Sequence, residues 1–182
     1  ETLIEAIKEW GVKKTLKKIN GMFAFGLYNS ENNTFILARD IVGEKPLYYS
    51  KIIKEKNYSV VFGSEIKIFN FFPLFNKKIN LEAVNYQQLY KYIPNPISIY
   101  ENVFKVNPGS YIEIDLSNLS FKENKYWNVD DLISSSKENL FKVNEDDNLN
   151  IIENSISESI NEQLLGDVEI GAFLSGGIDS SL

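Results

Sequence analysis

Apolar side chains recur at helical spacing in the first twenty residues of the chain. Leu3 and Ile7 lie four positions apart within residues 2–10, which places them on one face of a helix. Gly11 interrupts the pattern, and a similar spacing resumes over residues 12–19. The sequence therefore predicts two short helices separated by this glycine.

A pattern typical of strands follows these helices. Residues 21–28 are apolar almost without interruption, which favours a strand covered on both faces. A cluster of turn-forming residues occupies positions 29–33, and a second run rich in β-forming residues occupies 34–38. We expect a β-hairpin here.

Shorter runs of the same kind continue to about residue 115. Alternating or β-branched residues predict strands, and helical spacing predicts helices. Two prolines make residues 93–96 irregular, and a Pro-Gly turn at 108–109 precedes the last strand. In chain order the predicted elements are strands at 48–49 and 58–62, helices at 65–69 and 81–92, and a strand at 111–115.

The composition changes after residue 117. From 117 to 148, Ser, Lys, Glu, Asp and Asn dominate and apolar anchors are few, which is typical of an exposed connection between domains. Beyond it, apolar residues return every three or four positions and predict an amphipathic helix. These residues are Leu149, Ile152, Ile156, Ile160 and Leu164.

The last segment has the order of an α/β nucleotide-binding domain. Residues 168–174 predict a short apolar strand that runs directly into a Gly-Gly loop. At such a corner, unpaired amides and the helix dipole attract an anion, and glycines let the backbone approach it closely. Asp179 could bridge to phosphate through Mg²⁺ or cap the helix. A turn with an N-cap is the simpler reading of the loop considered alone.

Composition limits the partners and the reactive groups that this stretch can have. The chain has 182 residues, 43% of them hydrophobic, and a net charge of −6. This size suits one domain or slightly more, and the acidic balance argues against nucleic acid as the main partner. We find no long apolar run or leader, so no membrane partner and a cytoplasmic location are expected. Since Cys and His are both absent, chemistry within this stretch falls to carboxylates, hydroxyls, lysines, amides or a bound metal.

The glycine loop resembles the SGGxDS pyrophosphate-binding loop of ATPases that adenylate a carboxyl or amide group. It differs from the GxxxxGK[ST] loop of enzymes that cleave the other end of the triphosphate. The resemblance implies ATP and Mg²⁺ as cofactors, with Asp179 as a metal contact through pyrophosphate. The implied ATP-binding residues are Leu174, Ser175, Gly176, Gly177, Asp179 and Ser180.

Four motifs in the first half identify the family. They are GMFAF at 21–25, ARD at 38–40, GEKPLYY at 43–49 and FGSEIK at 62–67. In this order they resemble the class II glutamine amidotransferase domain of asparagine synthetases. The resemblance places the cysteine nucleophile upstream, so no catalytic residue is expected in this stretch. It assigns Asp40 to the α-ammonium group of glutamine. Without it, Arg39 and Asp40 would be interpreted as an ordinary surface ion pair.

The resemblance also implies the fold class, which is α+β. We expect residues 1–125 to form the C-terminal part of an Ntn-type four-layer αββα sandwich, with its N-terminal part missing. A linker at 126–147 would follow. Residues 148–182 would then be the truncated start of an α/β adenine-nucleotide hydrolase-like domain.

The implied reaction converts ATP, L-aspartate, L-glutamine and water to L-asparagine, L-glutamate, AMP and pyrophosphate, with the fragment alone inactive. A homodimer is compatible with the resemblance. Two alternatives remain open from the sequence. One is amidation of another carboxylate, such as a sugar acid or a β-lactam precursor, and the other is a non-catalytic regulatory module.

Overall fold

A computed structural model describes residues 1–54, 57–138, 144–164, 166 and 168–181. The chain separates into two compact units, Glu1–Leu132 and Ile133–Leu182. Among the described residues, no helix combines the length and apolar content needed to cross a membrane.

The helices are mostly short. Among the residues that the structure describes, five are four to ten residues long, and α5 has 19. In chain order they are α1 (Thr2–Trp10), α2 (Val12–Leu16), α3 (Leu81–Tyr90), α4 (Val129–Glu138), α5 (Glu145–Gln163) and α6 (Ile178–Ser181), with a 3-10 helix at Ile66–Phe71 before α3.

In the described ranges, the strands belong to the first unit and form two antiparallel sheets. They are β1 (Ala24–Asn29), β2 (Thr34–Arg39), β3 (Tyr48–Lys54), β4 (Asn57–Gly63), β5 (Phe104–Lys105), β6 (Ser110–Asp115) and β7 (Ser120–Lys125). One sheet has the order β1-β2-β6-β7 and the other β4-β3-β5. In the first sheet, Leu37 lies opposite Gly26 on one side and Ile112 on the other.

The four-stranded sheet is covered on both faces. Because side chains alternate along a strand, β2 sends Ile36 and Ala38 to one side, where they pack with Leu16 of α2. Leu37 points to the other side, into a cluster that includes Leu47 and partly buried Tyr49 of the second sheet. The first unit is therefore a helix layer and two sheet layers around two hydrophobic clusters.

The structure confirms several sequence predictions. The helix at 2–10, the hairpin, and the helix carrying Leu149, Ile152, Ile156 and Ile160 are all present, and Leu164 is the C-cap of this last helix. The strand predicted over 21–28 begins only at Ala24. Both faces of β1 have neighbours, since Phe25 and Leu27 pack on one hydrophobic cluster and Ala24 on the other, although Gly26 and Tyr28 are exposed.

Two predictions are wrong. Residues 120–125, interpreted as exposed connection, form β7 and pair with β6. Their polar side chains suit an edge strand, which needs one apolar face at most. Residues 168–174 form no strand, because no other described segment supplies a hydrogen-bonding partner. The domain bounds at 125 and 148 stay a prediction.

Candidate functional site

Asp40 follows β2 and is 2% exposed. Its Oδ1 accepts a hydrogen bond from the amide of Glu44 at 2.8 Å, and its Oδ2 accepts one from the amide of Lys45 at 2.9 Å. Oδ2 also accepts from the amide of Phe23 at 3.3 Å. The carboxylate therefore joins the loop of residues 41–46 to the segment that precedes β1.

These contacts set the charge of Asp40. Burial raises the pKa of the Asp40 carboxyl, but four backbone amides that stabilise the anion outweigh it, so the pKa lies below its ordinary value. The amides belong to Lys45, Glu44, Gly43 and Phe23. Asp40 is therefore an anion at neutral pH.

Arg39 holds the carbonyl groups of the same loop. Its Nε donates to the carbonyl of Lys45 at 2.8 Å, and its Nη2 donates to the carbonyl of Gly43 at 2.6 Å. Nη1 donates to the carbonyl of Val106 at 2.9 Å. Arg39 is 8% exposed, and its guanidinium bonds to backbone carbonyls. The pair is therefore not the surface ion pair that is the alternative interpretation of the sequence.

A tyrosine far along the chain completes this arrangement. The hydroxyl of Tyr126 donates to the carbonyl of Arg39 at 2.7 Å, and the amide of Gly109 donates to the carbonyl of Asp40 at 2.9 Å. Tyr126 is 4% exposed. Burial, and secondarily the charge of Asp40, raises the pKa of the Tyr126 hydroxyl, so the group remains a donor. Sequence reasoning missed this contact, since 87 positions separate its partners.

The second candidate site is the glycine loop before α6. Ser180 Oγ lies 2.9 Å from Ser175 Oγ, accepts from the amide of Ser175 at 3.2 Å and donates to the carbonyl of Gly177 at 3.1 Å. Ser181 Oγ donates to the same carbonyl at 2.8 Å. Gly176 has φ of 76°, a conformation that favours glycine. Serine hydroxyls therefore hold the loop closed on itself.

The structure brings the predicted ATP-binding residues together in one exposed turn. Leu174 is 76% exposed, and Asp179 lies in the first turn of α6. Within the described ranges, no group of three or more acidic side chains is arranged to hold a metal ion. Magnesium at Asp179 would therefore need further oxygen ligands, such as those of a polyphosphate.

Two family models match the chain. A family model described as a glutamine amidotransferase domain matches residues 1–127, so the chain belongs to that family. A second model, described as asparagine synthase, matches residues 152–182. The two matches follow one another along the chain.

The most similar curated proteins include glutamine-hydrolysing asparagine synthetases. A putative synthetase 2 of Methanocaldococcus jannaschii is 32% identical over 91% of this chain and 30% of its own length. Synthetase 1 of Bacillus subtilis is 32% identical over 93% of the chain and 25% of its own length. Synthetase 2 of the same bacterium is 28% identical over the whole chain and 24% of its own length. The chain thus spans 24–30% of the length of these relatives.

Proposed function

We propose that the protein containing this chain is a glutamine-dependent asparagine synthetase. The observation that carries the proposal is the order of the two family matches, amidotransferase over 1–127 and asparagine synthase over 152–182, in one polypeptide. A shared chain lets ammonia released from glutamine reach an activated carboxylate before it is protonated or lost. The first unit would be part of an Ntn-type four-layer sandwich, and the second the start of an adenine-nucleotide hydrolase-like domain.

The proposed reaction has two balanced stages. Water hydrolyses glutamine to glutamate and ammonia at a nucleophile outside this stretch. An oxygen of the aspartate side-chain carboxylate then attacks the α-phosphorus of ATP, which forms β-aspartyl-AMP and releases pyrophosphate. Ammonia attacks the acyl carbon of this adenylate, and asparagine forms as AMP leaves. The residues of this chain serve the second stage by holding pyrophosphate.

The local charge explains why Mg²⁺ accompanies ATP in this proposal. Residues 144–182 contain nine Asp and Glu and no Lys or Arg, so this stretch supplies no cationic side chain to the triphosphate. Within it, attraction for the anion comes from backbone amides at the start of α6 and from serine hydroxyls. A divalent cation would supply the missing positive charge and bridge pyrophosphate to the protein.

The experiment uses the full-length protein with ATP and Mg²⁺. We expect asparagine and pyrophosphate to form together from aspartate, with glutamine or ammonia as the nitrogen donor. Pyrophosphate release with a different carboxylic acid, and no asparagine with aspartate, would move the assignment to another amidotransferase. No turnover with any acid would favour the regulatory alternative.

ATP binding tests the loop separately. Gly177→Arg places a long side chain among the phosphate-facing amides and should abolish ATP binding. Ser180→Ala removes the hydroxyl that bonds both Ser175 and Gly177 and should weaken binding by about tenfold. Ser155→Ala is the matched control, because that hydroxyl donates to the carbonyl of Ile151 within α5 and lies outside the glycine loop. Equal affinities for wild type and Gly177→Arg would refute the loop assignment.

A further inference from the structure

Arg39 and Asp40 bind the same loop through different backbone groups, Arg39 through carbonyls and Asp40 through amides. Asp40 accepts the amides of Glu44 and Lys45, while Arg39 donates to the carbonyls of Gly43 and Lys45. We propose that the two side chains form a clamp that fixes the loop of residues 41–46, and that both act in the glutaminase reaction as positioning residues rather than as substrate contacts. This inference rests on the proposed amidotransferase function.

Backbone amides occupy most of the acceptor positions on the Asp40 carboxylate. A carboxylate offers about four lone-pair positions, and hydrogen bonds from Glu44, Lys45 and Phe23 occupy three of them. With 2% of the residue exposed, an ammonium group has almost no open surface through which to reach the fourth position. The geometry therefore points to the loop amides as the partners of the Asp40 carboxylate. The resemblance implies the α-ammonium group of glutamine instead.

The guanidinium of Arg39 connects two segments of the chain. Three of its nitrogens reach carbonyls on two segments, the loop and the residue Val106 before the turn into β6. A planar fork can bridge carbonyls in different directions, whereas the single ammonium of lysine cannot hold all three positions. Arg39 therefore joins the loop to the neighbouring segment as well as closing it.

At the centre of the loop, the backbone conformation and the close neighbours leave room for no residue larger than glycine. Gly43 has φ of +75°, and a Cβ there would lie 2.9 Å from Pro108 Cγ and 3.0 Å from Arg39 Cζ. Side chains facing outward are free of this crowding, and Val42 is 65% exposed. The loop thus combines a locked backbone with an exposed outer side, the arrangement expected of a preorganised recognition loop.

The test uses the full-length enzyme and compares glutamine-dependent with ammonia-dependent asparagine formation. Asp40→Asn keeps one acceptor oxygen, so one loop amide loses its partner, and Asp40→Ala removes both. We expect Asp40→Ala to lower glutaminase kcat/KM by about tenfold or more and to speed hydrogen exchange of the 41–46 peptide by a similar factor. Asp40→Asn and Arg39→Lys should lie between this variant and wild type, and ammonia-dependent synthesis should stay unchanged.

Asp115→Asn is the matched control. That aspartate also binds backbone and side-chain N–H groups of its own turn, at Ser117 and Asn118, but it lies outside the clamp. It should change neither glutamine kinetics nor exchange at 41–46. If the Asp40 variants fail to fold, Tyr126→Phe removes only the donor to the Arg39 carbonyl and should show the same two effects at smaller size.

Three outcomes would overturn the inference. A raised glutamine KM in Asp40→Asn with unchanged exchange at 41–46 would show direct substrate contact. Equal losses with glutamine and ammonia would show a general loss of stability. Wild-type kinetics in every variant would show that the loop has no part in the reaction. A wild-type enzyme without glutaminase activity would instead refute the proposed function, and hydrogen exchange would still report on the clamp.

Discussion

The two units of the chain obtain their local geometry by different means. In Glu1–Leu132 the Arg39–Asp40 clamp is buried, and contacts from distant segments such as Tyr126 and Gly109 fix it. In Ile133–Leu182 none of the described residues is buried. The glycine loop there is held by hydroxyl and backbone groups within six residues of one another. Buried long-range contacts define the first site, and short-range hydrogen bonds define the second.

This contrast predicts where each site is vulnerable. A site held by long-range contacts loses its geometry only when the unit around it unfolds. A loop held by local hydrogen bonds can change shape without any global transition, because its bonds compete with water. The glycine loop should therefore respond to ligands far more than the loop of residues 41–46.

The largest predicted difference between the two units is the unfolding free energy lost when an apolar side chain is truncated. Leu37→Ala removes a fully buried side chain between the two sheets and should cost about 2–5 kcal/mol of unfolding free energy. Ile156→Ala in α5 is the matched variant, since that side chain is 37% exposed, and should cost roughly 0.5 kcal/mol. Urea unfolding monitored by tryptophan fluorescence measures the first unit, because both tryptophans, Trp10 and Trp127, lie in it.

Circular dichroism of the same samples follows the long helix α5. A loss of several kcal/mol in Ile156→Ala would mean that the apolar face of α5 is packed as tightly as the core of the first unit. The contrast between the units would then fail.

The second-largest predicted effect concerns how the unfolding free energy of the first unit depends on pH. The pKa of Asp40 is lowered in the folded chain, so its stabilising contribution is complete above the ordinary value of 3.8 and is lost as the pH falls below it. Asp40→Asn should cost roughly 1–3 kcal/mol at neutral pH, and its unfolding free energy should fall less steeply on acidification than that of wild type. Urea titrations over an acid pH series measure this slope, and identical slopes would show that Asp40 titrates normally.

The same contrast explains what the sequence could predict. The β1–β2 hairpin was predictable because its signal is local, two apolar runs around a turn cluster at 29–33. Strand β7 was not, since only Phe121 and its pairing with β6 distinguish it from a polar linker. Residues 168–174 show the converse, an apolar run without a described partner strand.

The candidate sites follow the same rule. Motifs identified Asp40 and the glycine loop, because both depend on residue types at fixed spacing. The burial of Asp40 was not predictable, since its partners are backbone amides, whose positions no side-chain pattern records. The Tyr126 contact depends on tertiary packing alone.

The smallest predicted effect compares one helix cap in each unit. Asn80 caps α3 by accepting from the amides of Glu82 and Ala83, and Asn144 caps α5 by accepting from the amide of Asp147. Replacing either with alanine removes a similar contact worth about 1 kcal/mol. Asn80→Ala should lower the unfolding free energy seen by tryptophan fluorescence by that amount, because α3 unfolds with the first unit.

Asn144→Ala should leave the fluorescence transition unchanged and reduce only the helical circular dichroism signal, because fraying of α5 is local. An equal shift of the fluorescence transition in both variants would show that the two units unfold together. The separation between long-range and local stabilisation would then have to be abandoned.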